Sequence, residues 1–200
     1  MKNNNQYLGE ILESLEIKKK LIGLNKEVFL SIEKIFSTIK NGGKIFICGN
    51  GGSAADAQHL SAEFLVRLNP KINRRPFPMI SLAMDTSTLT ACGNDFDFKY
   101  IFSRNLQALG SKKDLLIVIS TSGNSRNIIE VLKQSKKMKI FSIGFLGSNG
   151  GAAKKISNLN IIVPHQKVAR IQESHIFLGH FILNQVEKKL LNKSKFKPIF

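Results

Sequence analysis

KIFICGNGGSAADAQHLSAEF, residues 44–64, carries the pattern from which the fold is read. It opens on a short apolar run that does not alternate with polar residues, as a strand buried on both faces would. Glycines follow, then a helical pattern near 54–67 with His59 and Glu63 four residues apart, on one face and one turn from each other. Strand, glycine turn and helix make half of a strand–helix–strand unit.

The rest of the chain repeats the unit. Apolar runs at 44–48, 79–83, 115–120, 140–145 and 159–163 read as buried strands, and helical spacing recurs near 98–109, 125–137, 150–157 and 168–192. Such alternation implies parallel pairing with right-handed crossovers and helices on both sheet faces, a three-layer α/β/α domain. Two amphipathic helices, 7–22 and 26–40, precede it; Asn25 is the expected N-cap of the second, and Asn41, Gly42 and Gly43 stop it. The irregular stretch RLNPKINRRPFP, residues 67–78, reads as a surface connection because of its prolines.

At 200 residues and 42% hydrophobic, the chain can bury one core without staples, so one domain over 1–200 is expected. No run of eighteen apolar residues and no signal-peptide core occurs, and Cys48 and Cys92 have neither a C-x-x-C spacing nor a disulfide framework. These features point to a soluble protein of the cytoplasm. The net charge of +16 comes mostly from scattered lysines, including the KKLLNKSKFK tail, with few aromatics interleaved. That reads as a solvated coat that helps draw in anionic substrates; a nucleic-acid surface is the disfavoured reading, testable by steeply salt-dependent DNA binding.

Ligands of such folds bind beyond the carboxyl ends of strands, at helix N-termini. Two loops have suitable composition. Gly49-Asn50-Gly51-Gly52-Ser53 lets backbone approach a ligand, with Ser53 as helix cap and hydroxyl donor. Ser120-Thr121-Ser122-Gly123-Asn124-Ser125 offers four hydroxyls, suited to a phosphate monoester. Neither matches a dinucleotide or nucleoside triphosphate motif. His59 and Glu63 can chelate a divalent metal, serve as acid and base, or form an ordinary surface pair. On the last helix Gln172, Ile176, Gly179 and His180 share one stripe. A histidine among Phe177, Phe181 and Leu183 is read either as a core residue or as a site residue, and His175, off the stripe, as a core residue.

GNGGSAADAQHLSAE, TACGNDFDFKYIFSR, STSGNS and RIQESHIFLGH, in that order, resemble the sugar isomerase (SIS) domain proteins of the phosphoheptose isomerase type, over nearly the whole chain. The resemblance implies a flavodoxin-like, five-stranded parallel sheet and a homotetramer with active sites at subunit contacts, with 1–42 used in assembly and 43–200 as the core. It implies conversion of sedoheptulose 7-phosphate to D-glycero-D-manno-heptose 7-phosphate, which begins ADP- or GDP-heptose synthesis for lipopolysaccharide or surface polysaccharide. Carried over position by position, one zinc per subunit is bound by His59, Glu63, Gln172 and His180. Substrate is held by Gly51, Gly52, Ser53, Glu63, Asn94, Asp95, Ser120, Thr121, Ser122, Ser125 and Gln172, and Glu63 and His180 are catalytic. The rival is a non-catalytic SIS-domain protein that binds a sugar phosphate or the replication initiator. Gln172 and His180 lie eight residues apart, about 12 Å along a helix. A composite site at a subunit interface is therefore expected, with Gln172 more a substrate contact than a tight ligand.

Overall fold

Strands β1 (Ile45–Gly49), β2 (Met79–Ser81), β3 (Leu115–Ser120), β4 (Phe141–Gly147) and β5 (Leu159–Val163) form one parallel sheet in a computed structural model that describes residues 2–192. Their order is β2-β1-β3-β4-β5, with Ile45 paired to Met79 on one side and to Leu115 on the other. Successive side chains point to opposite faces. Ile45, Ile47, Ile117, Ile119 and Ile143 meet one helical layer, and Phe46, Cys48, Leu116 and Val118 meet the other. Both sets are buried, which is why no polar alternation marks these strands.

One layer holds α1 (Lys2–Lys20), α2 (Asn25–Lys40), α3 (Gly52–Leu65) and α7 (Val168–Leu191). The other holds α4 (Thr86–Asp95), α5 (Ile101–Leu109) and α6 (Arg126–Lys137). α2 shows the logic: Val28, Ile32, Ile35, Phe36 and Ile39 form one buried stripe, each side chain contributing about 1.5–3 kcal/mol. The chain passes from β1 outward to β2 and returns to β3 on the far side of β1. Strand order therefore reverses between β1 and β3, and this switch point is where open α/β sheets leave a ligand crevice.

Several local expectations need correction. Asn25 is not an N-cap: a 3-10 turn, Leu21–Leu24, runs directly into α2, and Asn25 already has helical φ and ψ. Ser53 is not the cap of α3, because Gly51 takes that place and Ser53 is buried in the first turn. The 98–109 helix is a 3-10 turn, Phe98–Tyr100, followed by α5. At 150–157 only a 3-10 turn, Ala153–Lys155, forms, since Gly150 and Gly151 adopt φ of 86° and 55°. The 79–83 strand ends at Ser81. Unforeseen α4 is capped by Asp85, whose carboxylate accepts from Ser87 N at 3.0 Å; its Thr-rich sequence shows no apolar period. The 67–78 connection is not all surface, for Arg74 and Phe77 are buried. Lys193, Lys195 and Lys197 of the basic tail lie outside the described residues.

Candidate active site

The loops after β1 and β3 meet at the switch point. Gly51 holds φ 53° and ψ −123°, a conformation costly for any residue with a Cβ, and so turns the chain directly from β1 into α3. Across the crevice Asn50 and Asn127 exchange two amide hydrogen bonds, of 2.9 and 2.7 Å, tying the glycine turn to the first turn of α6. In the serine loop, Ser120 Oγ accepts from Gly123 N at 3.0 Å and Ser122 Oγ accepts from Asn124 N at 3.2 Å. Ser125 occupies the N-cap position of α6 without making a side-chain cap bond, so its hydroxyl is available to a ligand. Asn94 and Asp95 are exposed at the end of α4, where they bond to each other at 2.8 Å.

Farther along α3 a second cluster forms. His59 Nε2 lies 2.8 Å from His180 Nε2 and 3.4 Å from Glu63 Oε1, and one ligand atom from each of the three lies within 4.8 Å of the others. The imidazoles meet edge to face, their centroids 5.0 Å apart. Two ring nitrogens at that distance share at most one proton, so at least one lone pair points into the cluster. Close approach of α3 and α7 makes this contact: a Cβ on Gly179 would stand 2.6 Å from Leu60 Cδ1. His180 is only partly buried, while its neighbours Phe177 and Phe181 are exposed, so it does not lie in the core. His175 does.

A Cβ at Gly52 would stand 2.5 Å from Gln172 Nε2, so the amide of Gln172 lies against the start of α3. Gly52 and Glu63 are eleven residues apart on α3, a rise of about 16 Å. One chain thus presents its glycine turn with Gln172 near one end of α3 and its histidine–glutamate cluster toward the other. Asp56, one turn before His59, escaped sequence reasoning. Burial pushes its carboxyl above the usual carboxylate range, opposed by the charges of His59 and His180, and its Oδ2 is buried without a partner. The i, i+3 spacing Asp56–His59 was its only local signal.

Comparison with known proteins bears on these motifs. The family model of the SIS domain matches residues 6–147. The phosphoheptose isomerase of Campylobacter concisus is 50% identical over 159 residues, covering 80% of this chain and 83% of that protein. That of Clostridium acetobutylicum is 43% identical over 188 residues, covering 92% and 95%. The solved phosphoheptose isomerase of Neisseria gonorrhoeae superposes with a TM-score of 0.86 at 36% identity, over 92% of this chain and 98% of that one.

Proposed function

The chain belongs to the SIS domain family, and from that premise we propose that it performs the reaction for which its relatives are named. It is an aldose–ketose isomerase converting sedoheptulose 7-phosphate to D-glycero-D-manno-heptose 7-phosphate, at the start of heptose synthesis for lipopolysaccharide or surface polysaccharide. The observation that carries the reading is the meeting of His59 and Glu63 of α3 with His180 of α7, 121 residues after His59 in sequence.

Two imidazole nitrogens and a carboxylate within 4.8 Å of one another suit a divalent ion of zinc's borderline character. His59, Glu63 and His180 would hold it; Gln172, whose amide lies against Gly52 at the other end of α3, would serve as a substrate contact and would join the ligand set only from a neighbouring subunit. Zinc there supplies Lewis acidity toward the substrate carbonyl. Glu63 Oε1 takes the proton from C1 of the ketose, and the electron pair left behind forms the C1–C2 double bond of an enediol. His180 Nε2 gives a proton to the C2 oxygen. The return steps deliver a proton to C2 while the C1 hydroxyl loses its own, so the carbonyl moves by one carbon with no net change in atoms. Glu63 and His180 could not be tight ligands and proton carriers in the same instant, so either their hold on the ion would be loose or a water would share one of the roles.

The phosphate is held by Ser120, Thr121, Ser122 and Ser125, so that binding energy positions carbons distant from it. Gly51, Gly52, Ser53, Asn94 and Asp95 surround the sugar. The separation of loop and cluster along α3 supports a site shared across a subunit contact. Exposed Tyr7, Leu8, Leu12 and Leu15 on α1 offer the apolar face for it, and we read the chain as one SIS domain whose residues 1–42 serve assembly into a homotetramer. No helix among the described residues is long and apolar enough to cross a membrane, and both cysteines are buried and free. These features support a cytoplasmic site of action.

Sedoheptulose 7-phosphate incubated with the protein in deuterated water should yield the aldose carrying deuterium at C2, read by proton NMR. Glu63→Gln and His180→Gln should each lower kcat by about 10²–10⁴-fold while the circular dichroism stays that of the wild type. Near-normal rates would remove these roles, and no conversion by the wild type would reduce the protein to a binder of sugar phosphates.

A further inference from the structure

Arg74 is buried in a connection otherwise rich in exposed residues, and so is the carboxylate it meets. Its Nε donates to Glu187 Oε2 at 2.8 Å, with the two side chains 0% and 1% exposed. Its Nη2 donates to the carbonyl of Glu63 at 2.9 Å, and its Nη1 donates to the carbonyls of Phe64 at 3.0 Å and Arg75 at 3.1 Å. The guanidinium also stacks on Phe77, 4.2 Å from the ring centroid. Four of the five N–H bonds of the fork are engaged.

These partners are not arbitrary. The last carbonyls of a helix lack intrahelical donors, and α3 ends without a basic residue in its last turn and with Val66 rather than glycine following it. From nine residues beyond the helix end Arg74 donates to two of these carbonyls, that of Glu63 and, together with Phe77 N at 2.9 Å, that of Phe64, and it places a positive charge at the negative pole of α3. One of the two α3 carbonyls it holds belongs to Glu63. On the other side Glu187 lies seven residues after His180, two turns along the same face of α7. One side chain therefore grips both helices that bring the proposed proton carriers together. A buried ion pair is a weak source of net stability compared with apolar packing of similar shape, so the arrangement is better accounted for by geometry than by stability alone.

We infer that Arg74 is a positioning residue which, through Glu187, sets the register of the Glu63 turn of α3 against His180 of α7. The inference deepens the isomerase reading and rests on it. Lysine keeps the charge but cannot reproduce the fork, and glutamine at 187 keeps the shape but not the charge.

The test compares wild type, Arg74→Lys and Glu187→Gln in kcat and KM for sedoheptulose 7-phosphate, in circular dichroism, and in long-range proton–nitrogen spectra of the imidazoles. Folded Arg74→Lys should keep KM within about threefold and lose at least about tenfold in kcat. The ring signals of His59 and His180 should move while those of His175 stay in place. A folded variant with wild-type kcat and unmoved His59 and His180 signals overturns the inference. Should both variants unfold, Arg74→Met combined with Glu187→Met leaves no orphan charge but still strips the Glu63 and Phe64 carbonyls of their side-chain donor. It should show the same fall in kcat, and wild-type turnover there overturns the inference equally. A wild type that fails to isomerise removes the proposed function instead, and the imidazole spectra then decide the role of Arg74.

Discussion

His175 and His180 stand five residues apart on α7 and meet opposite surroundings. His175 is wholly buried, its Nε2 donating to the Leu146 carbonyl at 3.1 Å while Nδ1 lacks a partner. Burial pushes its imidazole down from 6.5 to about 4, because a charge there would lose its hydration. Above pH 6.5 the ring is neutral in both folded and unfolded chains and adds no pH dependence. Between 6.5 and 4 the unfolded chain binds more protons, so stability falls as pH falls. At pH 5 the loss from this ring is about 2 kcal/mol. Urea unfolding at pH 7.5 and pH 5 should show wild type losing about that much more than His175→Gln, and equal losses would absolve His175.

The α3–α7 contact is where two helix effects compete. Replacing a mid-helix glycine by alanine ordinarily gains about 1 kcal/mol. At Gly179 the new Cβ would sit 2.6 and 2.8 Å from the two methyl carbons of Leu60, itself 2% exposed. Both branches of the leucine are in the way, so overpacking of about 1–3 kcal/mol outweighs the propensity gain. Gly179→Ala should melt at a lower temperature and turn over more slowly, because pushing α7 from α3 separates His180 from His59 and Glu63. Shortening the obstructing residue, as Leu60→Val in the same chain, should restore part of both losses. A single variant that melts higher than wild type would show that the helices have room to spare.

For the molecule as a whole, the N-terminal helices α1 and α2 carry large apolar side chains that the chain itself leaves exposed. Leu12 and Leu15 of α1 are 53% and 52% exposed, and Phe29 of α2 is 52% exposed. Association would bury such side chains at about 25 cal/mol per Å² of apolar surface. If this face forms the proposed subunit contact, Leu12→Glu with Leu15→Glu should break the assembly into smaller species in sedimentation velocity and lower activity with it. A doubly charged variant that stays tetrameric and fully active would exclude this face as the contact.

Much of this architecture is legible along the chain. Unbroken apolar runs announce strands covered on both faces, glycine- and serine-rich turns mark the loops beyond their carboxyl ends, and a spacing of four sets His59 beside Glu63. Those signals are local, carried by a few neighbouring residues. Where they fail, as at α4 or at 150–157, cap chemistry or glycine backbone outweighs apolar spacing. Other features have no local signature. His180 reads alone as one more residue of an apolar helix, and Arg74 as part of an exposed connection. His180 reaches His59, 121 residues away, only because Gly179 lets two helices close on each other, and Arg74 finds Glu187 across 113 residues because α3 ends where α7 passes. Periodicity specifies which face of an element is buried, but which side chains then touch depends on how the elements pack, and no short window of sequence contains that.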